Sequence, residues 1–373
     1  MIRITGTNVK EETARITVTE GVFYNPKMKP LRDMSVAFLN ALDLSDSKKS
    51  LLDSTSATGI RCIRYAKETG ISMLTAIDIN EKATNNTKKN LRLNSVKADV
   101  FNIDLEKFAA EHDAKFQIID LDPFGSPSPY IRDILKLSED GTIIMMTATD
   151  TAVLCGAHSK ACVKQYGSIP LHNHLCKEAG IRILINHFIR KAAEFNFGTE
   201  VILSISDMHY MRIFLRLKKG AESAYGSMLQ NGFGSYCNSC SAYSYASGIA
   251  PVIENKCKNC NSRTKLFGPL YLGRLNQKDI LKRMLVLLTE ASPAYKPIKT
   301  ISEEYESPFF YHIPLLTRFI KTSSISFTEL SESLRKKGFQ STRTLFDQSG
   351  IKTDAPLHEI ISSIKKLRSY NSA

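Results

Sequence analysis

The sequence predicts an α/β chain built around a doubly wound, mostly parallel sheet that an antiparallel hairpin closes at one edge. Three features lead to it. Apolar strand-like runs alternate with helical patterns through the first half, which is the signature of strands joined by crossover helices. The early strands each end in an aspartate, and two β-rich runs, Val201 to Ser206 and Tyr210 to Leu217, are separated only by Asp207-Met208-His209. In such a sheet ligands sit at the carboxyl ends of the strands, so the residues found there decide what the chain does.

The first helical pattern covers Arg32 to Leu42. Ser50 to Asp53 then reads as a short buried strand, and Ser54 to Gly59 as a loop of small residues opening into a helix over Ile60 to Glu68. Small side chains let the backbone come close to a ligand, with the N–H groups of the helix start pointing at it. The second strand, Met73 to Ile77, delivers Asp78, a carboxylate suited to grip the two hydroxyls of a ribose; a helix over Glu81 to Leu93 follows. The third, Val100 to Ile103, delivers Asp104, whose oxygen can accept an adenine amino group. Acids in this order match the S-adenosylmethionine site of the class I methyltransferases. The first loop departs from them in carrying one glycine, and the Gly-x-Gly-x-x-Gly of a nicotinamide-binding protein is absent.

Phe116 to Leu121 is the fourth strand, and it runs into Asp120-Leu121-Asp122-Pro123-Phe124-Gly125-Ser126-Pro127. A carboxylate, a rigid turn and an aromatic ring in that order can methylate an exocyclic amino group of a nucleobase. Such an amine is a poor nucleophile because its lone pair is delocalised into the ring, so it must be positioned. Asp122 can accept its hydrogens, Phe124 can stack on the base and Pro123 stiffens the turn between them. A competing reading makes the run a proline turn whose aspartate caps the helix expected over Ser126 to Leu137. A strand over Thr142 to Thr147 and a helix over His174 to Phe195 complete the unit before the closing hairpin.

Cys237-x-x-Cys240 and Cys257-x-x-Cys260 have the spacing of two zinc knuckles. Four thiolates leave no open position for water, so the expected zinc is structural; two disulfides or an iron–sulfur cluster are the alternatives. Tyr243 and Tyr245, between the knuckles, either face RNA or fill the ribbon. The other cysteines, Cys62, Cys155, Cys162 and Cys176, are scattered, which suits a reducing cytoplasm. No apolar run reaches the length of a membrane span, and Met1 to Thr5 has no signal-peptide core.

Fifty basic residues against 37 acidic ones give a net charge of +13 over 373 residues, favouring a polyanionic partner. Residues 268–373 hold ten lysines and six arginines against three aspartates and seven glutamates, a net +6, about twice as basic per residue as the rest. A change of character near Lys265 to Pro269 places the expected domain boundary there: residues 1–267 with the cysteine ribbon at 236–263, then a basic module at 268–373. Within that module Asn276 to Leu288 reads as an amphipathic helix, Pro293 to Pro308 as an extended linker, and Ser326 to Lys337 as a capped helix before a Ser/Thr/Arg-rich strand or loop. That pattern suggests a winged-helix-like or related small α/β nucleic-acid module.

Four segments carry a family resemblance: Val22-Phe23-Tyr24-Asn25-Pro26 with Arg32-Asp33, Ser56-Ala57-Thr58-Gly59-Ile60-Arg61, the Asp-Pro-Phe-Gly-Ser-Pro run, and Gly350-Ile351-Lys352-Thr353-Asp354. Together they resemble the Trm1 family, the tRNA (guanine-26-N2)-dimethyltransferases, and the compact chain with a central zinc site is similar to archaeal members. The resemblance implies a class I S-adenosyl-L-methionine-dependent fold with a zinc ribbon and a tRNA partner; the cytoplasmic location is expected from the cysteines, and a monomer is expected. The resemblance also implies Asp122 as the catalytic aspartate with Pro123 and Phe124 beside it. It implies Arg32, Arg61, Asp78, Asp104 and the backbone of Leu105 as contacts to the methyl donor. Cys176-Lys177-Glu178 departs from the family's usual Cys-His-Glu, and His172 and His174 are read as structural or RNA-facing. The rival readings are an amino-methyltransferase acting on rRNA, DNA or protein, and a zinc-stapled RNA-binding protein with an inactive methyltransferase fold.

Overall fold

The computed structural model describes residues 7–42, 49–207 and 209–370. Met1 to Thr5, read above for targeting, and Met208 of the expected turn lie outside them. The chain opens with an antiparallel hairpin, β1 (Asn8–Glu11) and β2 (Ala14–Thr17), followed by helix α1 (Lys29–Ala41). A seven-stranded sheet forms the centre, from β3 (Ser50–Asp53), β4 (Met73–Asp78), β5 (Asp99–Asn102), β6 (Phe116–Leu121), β7 (Ser138–Ala148), β8 (Phe197–Ser206) and β9 (Met211–Lys219). Their spatial order is β5-β4-β3-β6-β7-β9-β8; the first five are parallel, and β9 runs antiparallel to both neighbours. The expected closing hairpin is thus present.

Both faces of the sheet are covered, which is why its strands read as continuous apolar runs instead of alternating ones. Leu51, Ile118, Ile143 and Met145 point to the face packed by α1, while Leu52, Ile119, Ile144 and Met146 point to the opposite face. That second face is packed by α8 (Cys176–Ala193), enclosed along most of its length. Helices α2 (Ile60–Thr69), α3 (Glu81–Leu93) and α4 (Leu105–Glu111) are the early crossovers, α3 with the bounds expected. The helix expected from Ser126 begins instead at Ile131, as α5 (Ile131–Lys136) after a single 3₁₀ turn over Ser128–Tyr130. Two short helices, α6 (Thr151–Leu154) and α7 (Ser159–Tyr166), lead into α8, and α9 (Ala221–Leu229) follows the hairpin.

The ribbon is a three-stranded antiparallel sheet of β10 (Asn231–Tyr236), β11 (Tyr243–Ser247) and β12 (Lys265–Tyr271), with β10 in the middle. The boundary expected between residues 267 and 268 falls inside β12. Beyond it, α10 (Lys278–Leu287) and α11 (Tyr295–Glu303) bury Ile280, Leu281, Met284, Ile298 and Ile301 in the same core as α1. The segment Pro293 to Pro308 is therefore largely helical: Pro297 sits in the first turn of α11, where no backbone N–H is required of it. A separate core, of Ile313, Leu316, Leu330, Leu334, Ile351, Ile360 and Ile364, begins only with β13 (Tyr311–His312). It unites α12 (Ile313–Phe319), α13 (Phe327–Lys336), α14 (Leu357–Tyr370) and a small sheet of β13, β14 (Ser341–Thr342) and β15 (Gly350–Thr353). Helix α13 starts on the expected cap, a box in which Ser326 and Glu329 each satisfy the other's backbone N–H.

Candidate functional site

The carboxyl ends of β3, β4 and β6 meet around the Ser54–Gly59 loop. The Ser54 N–H donates to the carbonyl of Asp120 at 3.0 Å, the Ser56 N–H to that of Ile77 at 3.0 Å, and the Ala57 N–H to the Asp78 carboxylate at 2.9 Å. The loop's one glycine stands where a side chain would clash, while Ala57 takes the loop's other positive φ, 48°. Gly59 has a φ of 73°, and a Cβ there would lie 2.9 Å from a Thr87 methyl of α3. Asp78 accepts a second bond from the Asn80 N–H at 2.9 Å. Asp104 caps α4 by accepting from the Glu106 N–H at 2.8 Å, which fixes its carboxylate beside the N-terminus carrying Leu105.

Asp53 is different: it is enclosed, and it lies opposite Asp120 in the β3–β6 register. Burial, with repulsion from Asp120, pushes its carboxyl up to about 7. It is therefore a core acid beneath the site, not a fourth rim carboxylate as the strand-end pattern suggested.

Asp122 stands at the end of β6 with its side chain 21% exposed, and the Arg61 guanidinium of α2 bonds it directly. Its backbone N–H donates to the Thr55 hydroxyl at 3.3 Å. Burial alone would raise this carboxyl, but Arg61 and Arg212 outweigh it and hold it below the usual aspartate range. The carboxylate is thus turned towards α2 and not towards α5, whose N-cap is Tyr130, so the capping reading of this aspartate fails. Pro123 is buried and Phe124 is 70% exposed.

Phe124 meets the half-exposed Phe23 edge to face, with centroids 4.7 Å apart. Two aromatic rings thus meet at the turn that follows the acid, and the role of Phe23 was missed in the sequence although its segment was noted there. The turn is pinned from below: Thr149 exchanges hydrogen bonds with the Gly125 backbone, and Ser126 meets the Tyr166 hydroxyl at 2.7 Å, which also donates to Asp150.

Arg61 thus joins Asp122, while Arg32 goes elsewhere. Its fork grips Glu11 of β1 and donates to the Asn25 carbonyl, with the Tyr24 ring beside it. The hairpin that supplies Glu11 was not read in the sequence, which is why Arg32 looked free.

The sulfurs of Cys237, Cys240, Cys257 and Cys260 all lie within 4.8 Å of one another, with two pairs at 3.5 Å. A disulfide would need about 2.05 Å, whereas a tetrahedron of sulfurs each about 2.3 Å from a zinc has edges of roughly 3.8 Å. The donor set fits a four-thiolate ion. Tyr243 packs between the ribbon and the C-terminal unit, stacking on Tyr311 at 4.8 Å, and is only partly exposed. His174 is packed against Tyr236, Phe310 and His312, as a structural residue would be.

A family model described as N2,N2-dimethylguanosine tRNA methyltransferase matches residues 4–365. The tRNA (guanine(26)-N(2))-dimethyltransferase of Pyrococcus horikoshii is 34% identical over an alignment covering 98% of this chain and all of its own. That of Thermococcus kodakarensis is 35% identical, covering 96% of this chain and 99% of its own. A solved structure of Trm1 from Pyrococcus horikoshii with S-adenosyl-L-methionine matches with a TM-score of 0.88 at 33% identity, over 96% of this chain and 99% of that one. The chain belongs to the N2,N2-dimethylguanosine tRNA methyltransferase family.

Proposed function

We infer that this chain transfers two methyl groups from S-adenosyl-L-methionine to the exocyclic N2 of guanine 26 in tRNA. The observation that carries the reading is Asp122: an ionised carboxylate held at a strand end by an arginine, still open to solvent, at a turn whose Phe124 meets a second ring, Phe23. The donor, when bound, supplies a sulfonium methyl carbon that is already strongly electrophilic. The protein's part is placement. Phe124 and Phe23 stack on a purine turned out of the tRNA helix, and Pro123 fixes the ring against the acid. Asp122 accepts an N–H of the amine, stabilises the positive charge growing on N2 and takes the proton as the new bond forms. For the second transfer the monomethylated amine must present its remaining hydrogen to the same carboxylate.

In this reading Asp78 holds the ribose hydroxyls through the lone pairs that Ala57 and Asn80 leave open. Asp104 and the Leu105 backbone receive the adenine edge. Arg61 and Arg32 face the donor's carboxylate. The four cysteines hold a structural zinc, and the basic unit beyond Tyr311 grips the tRNA. The enzyme acts as a cytoplasmic monomer; among the described residues no helix is long and apolar enough to cross a membrane.

Asp122→Ala tests the assignment. Turnover should fall by on the order of 10³-fold, while S-adenosylmethionine still raises the melting temperature as it does in the parent. Retained turnover refutes the role of Asp122, and loss of the donor-induced shift refutes its separation from the donor site.

A further inference from the structure

Beneath Asp122 the sheet buries more charge than a strand end needs. Arg212 of β9 is among the largest wholly enclosed side chains, although its neighbours Met211 and Ile213 are apolar. It donates to Asp120 at 2.9 Å and to the hydroxyl of Thr147 at 2.6 Å; Thr147 faces it across the β7–β9 register and is itself fully buried. A guanidinium can only donate, so the hydroxyl hydrogen of Thr147 is left for another acceptor, and the carboxylate whose ionised form Thr147 and Arg212 both favour is that of Asp122.

Asp120 is held by the Tyr65 hydroxyl at 2.5 Å and takes Arg61 at 3.4 Å, so the same guanidinium that bonds Asp122 is set from behind. Arg61 therefore bonds the Asp122 carboxylate directly, and Thr147 favours its ionised form. Both partners are placed by the buried Asp120–Arg212 pair, with Asp53 the remaining acid alongside. A buried ion pair of this kind adds little to stability compared with apolar side chains of the same volume, so its presence needs another explanation.

We propose that Thr147 and Arg212 are positioning residues for the methylation, fixing the orientation in which Asp122 meets the guanine amine and keeping that carboxylate an acceptor. The proposal rests on the reading of Asp122 as the acceptor. Thr147→Val keeps the shape of the side chain and removes the one O–H that ties Arg212 to Asp122.

The test is single-turnover methylation of tRNA at saturating labelled S-adenosylmethionine across a pH series, using the full chain. Thr147→Val should slow methylation by about tenfold, the loss expected for one hydrogen bond to a charged group, with an unchanged KM for the donor. The acid limb of its rate profile should move to higher pH, because the ionised form of Asp122 has lost a donor, and Thr147→Ser should restore both. If Thr147→Val does not fold, Arg212→Lys, which cannot bond Asp120 and Thr147 together in the same fork geometry, should show the same slowing and the same shift.

A parental rate and limb in these variants, with Asp122→Asn inactive, overturns the positioning proposal while leaving Asp122 in place. So does a slowing that Thr147→Ser does not rescue and that leaves the limb unmoved. Parental activity in Asp122→Asn overturns the underlying reading instead.

Discussion

Two of the buried ion clusters in this protein end differently. At the strand ends, Asp120, Arg61 and Arg212 lead up to Asp122, whose side chain remains 21% exposed. At the junction of α8 with the C-terminal unit, Glu178 accepts from Arg182 at 2.8 Å, from Lys352 of β15 at 3.3 Å and from the Phe309 N–H at 2.7 Å. Lys352 reaches Glu304 as well, at 2.7 Å, and every charged member of this second cluster is enclosed. A charge network with one open end can act on a ligand; a closed one can only hold parts of the chain together. The departure Cys176-Lys177-Glu178 from the family pattern leaves Glu178, the residue that does the holding, unchanged.

Breaking the closed cluster should have the largest effect. Lys352→Ala leaves Glu178 and Glu304 without their shared cation, and loss of one partner of a buried pair costs about 3–5 kcal/mol. Urea unfolding should show that loss, and proteolysis should free the unit beyond Tyr311. If stability is unchanged, the junction is not held by this ion pair. Removing the metal should weaken the same joint, since Tyr243 of the ribbon stacks on Tyr311. Chelation should release one zinc per chain and lower the melting temperature; a chain that binds no zinc contradicts the four-thiolate assignment.

The open cluster should show itself in pH dependence. Asp53 is held at about 7 in the folded protein against an ordinary 3.8, so the stability tied to its protonated form is complete below 3.8 and is lost as pH rises through about 7. Asp53→Asn removes that titration. Relative to the variant, the parent should lose on the order of 3 kcal/mol between pH 4 and pH 8, and parallel stability curves would contradict the placement of this acid.

The smallest expected effect is at the surface. Lys336, Lys365 and Lys366 are exposed on α13 and α14. Lys365→Glu with Lys366→Glu should weaken tRNA binding by about 1 kcal/mol for each phosphate no longer neutralised and flatten its salt dependence, with no change in donor binding. An unchanged salt slope would move the tRNA footprint elsewhere.

What could be read in the sequence was local. Asp53, Asp78, Asp104 and Asp122 each follow an apolar strand directly, so a two-residue signal marked them. The cysteine knuckles were legible by spacing alone. Partners far apart along the chain were not: Arg32 with Glu11 is separated by 21 residues, Arg212 with Asp120 by 92, and Lys352 with Glu178 by 174. No periodicity marks such pairs, and the four-residue strands of the N-terminal hairpin are too short to show one. Helix α11 was hidden by the proline in its first turn and by those on either side of it. The burial of Asp53 escaped the sequence reading because a strand end looks the same whether it opens to a cleft or is roofed by a neighbouring strand.

If Asp122 directs methylation of the amino group of one purine, nucleoside mass analysis of tRNA incubated with the enzyme and labelled S-adenosylmethionine shows it most directly. Labelled N2,N2-dimethylguanosine should appear at position 26, absent with Asp122→Ala and absent from a tRNA carrying adenine there. Label in a different nucleoside, or undiminished label with the variant, would contradict the assignment.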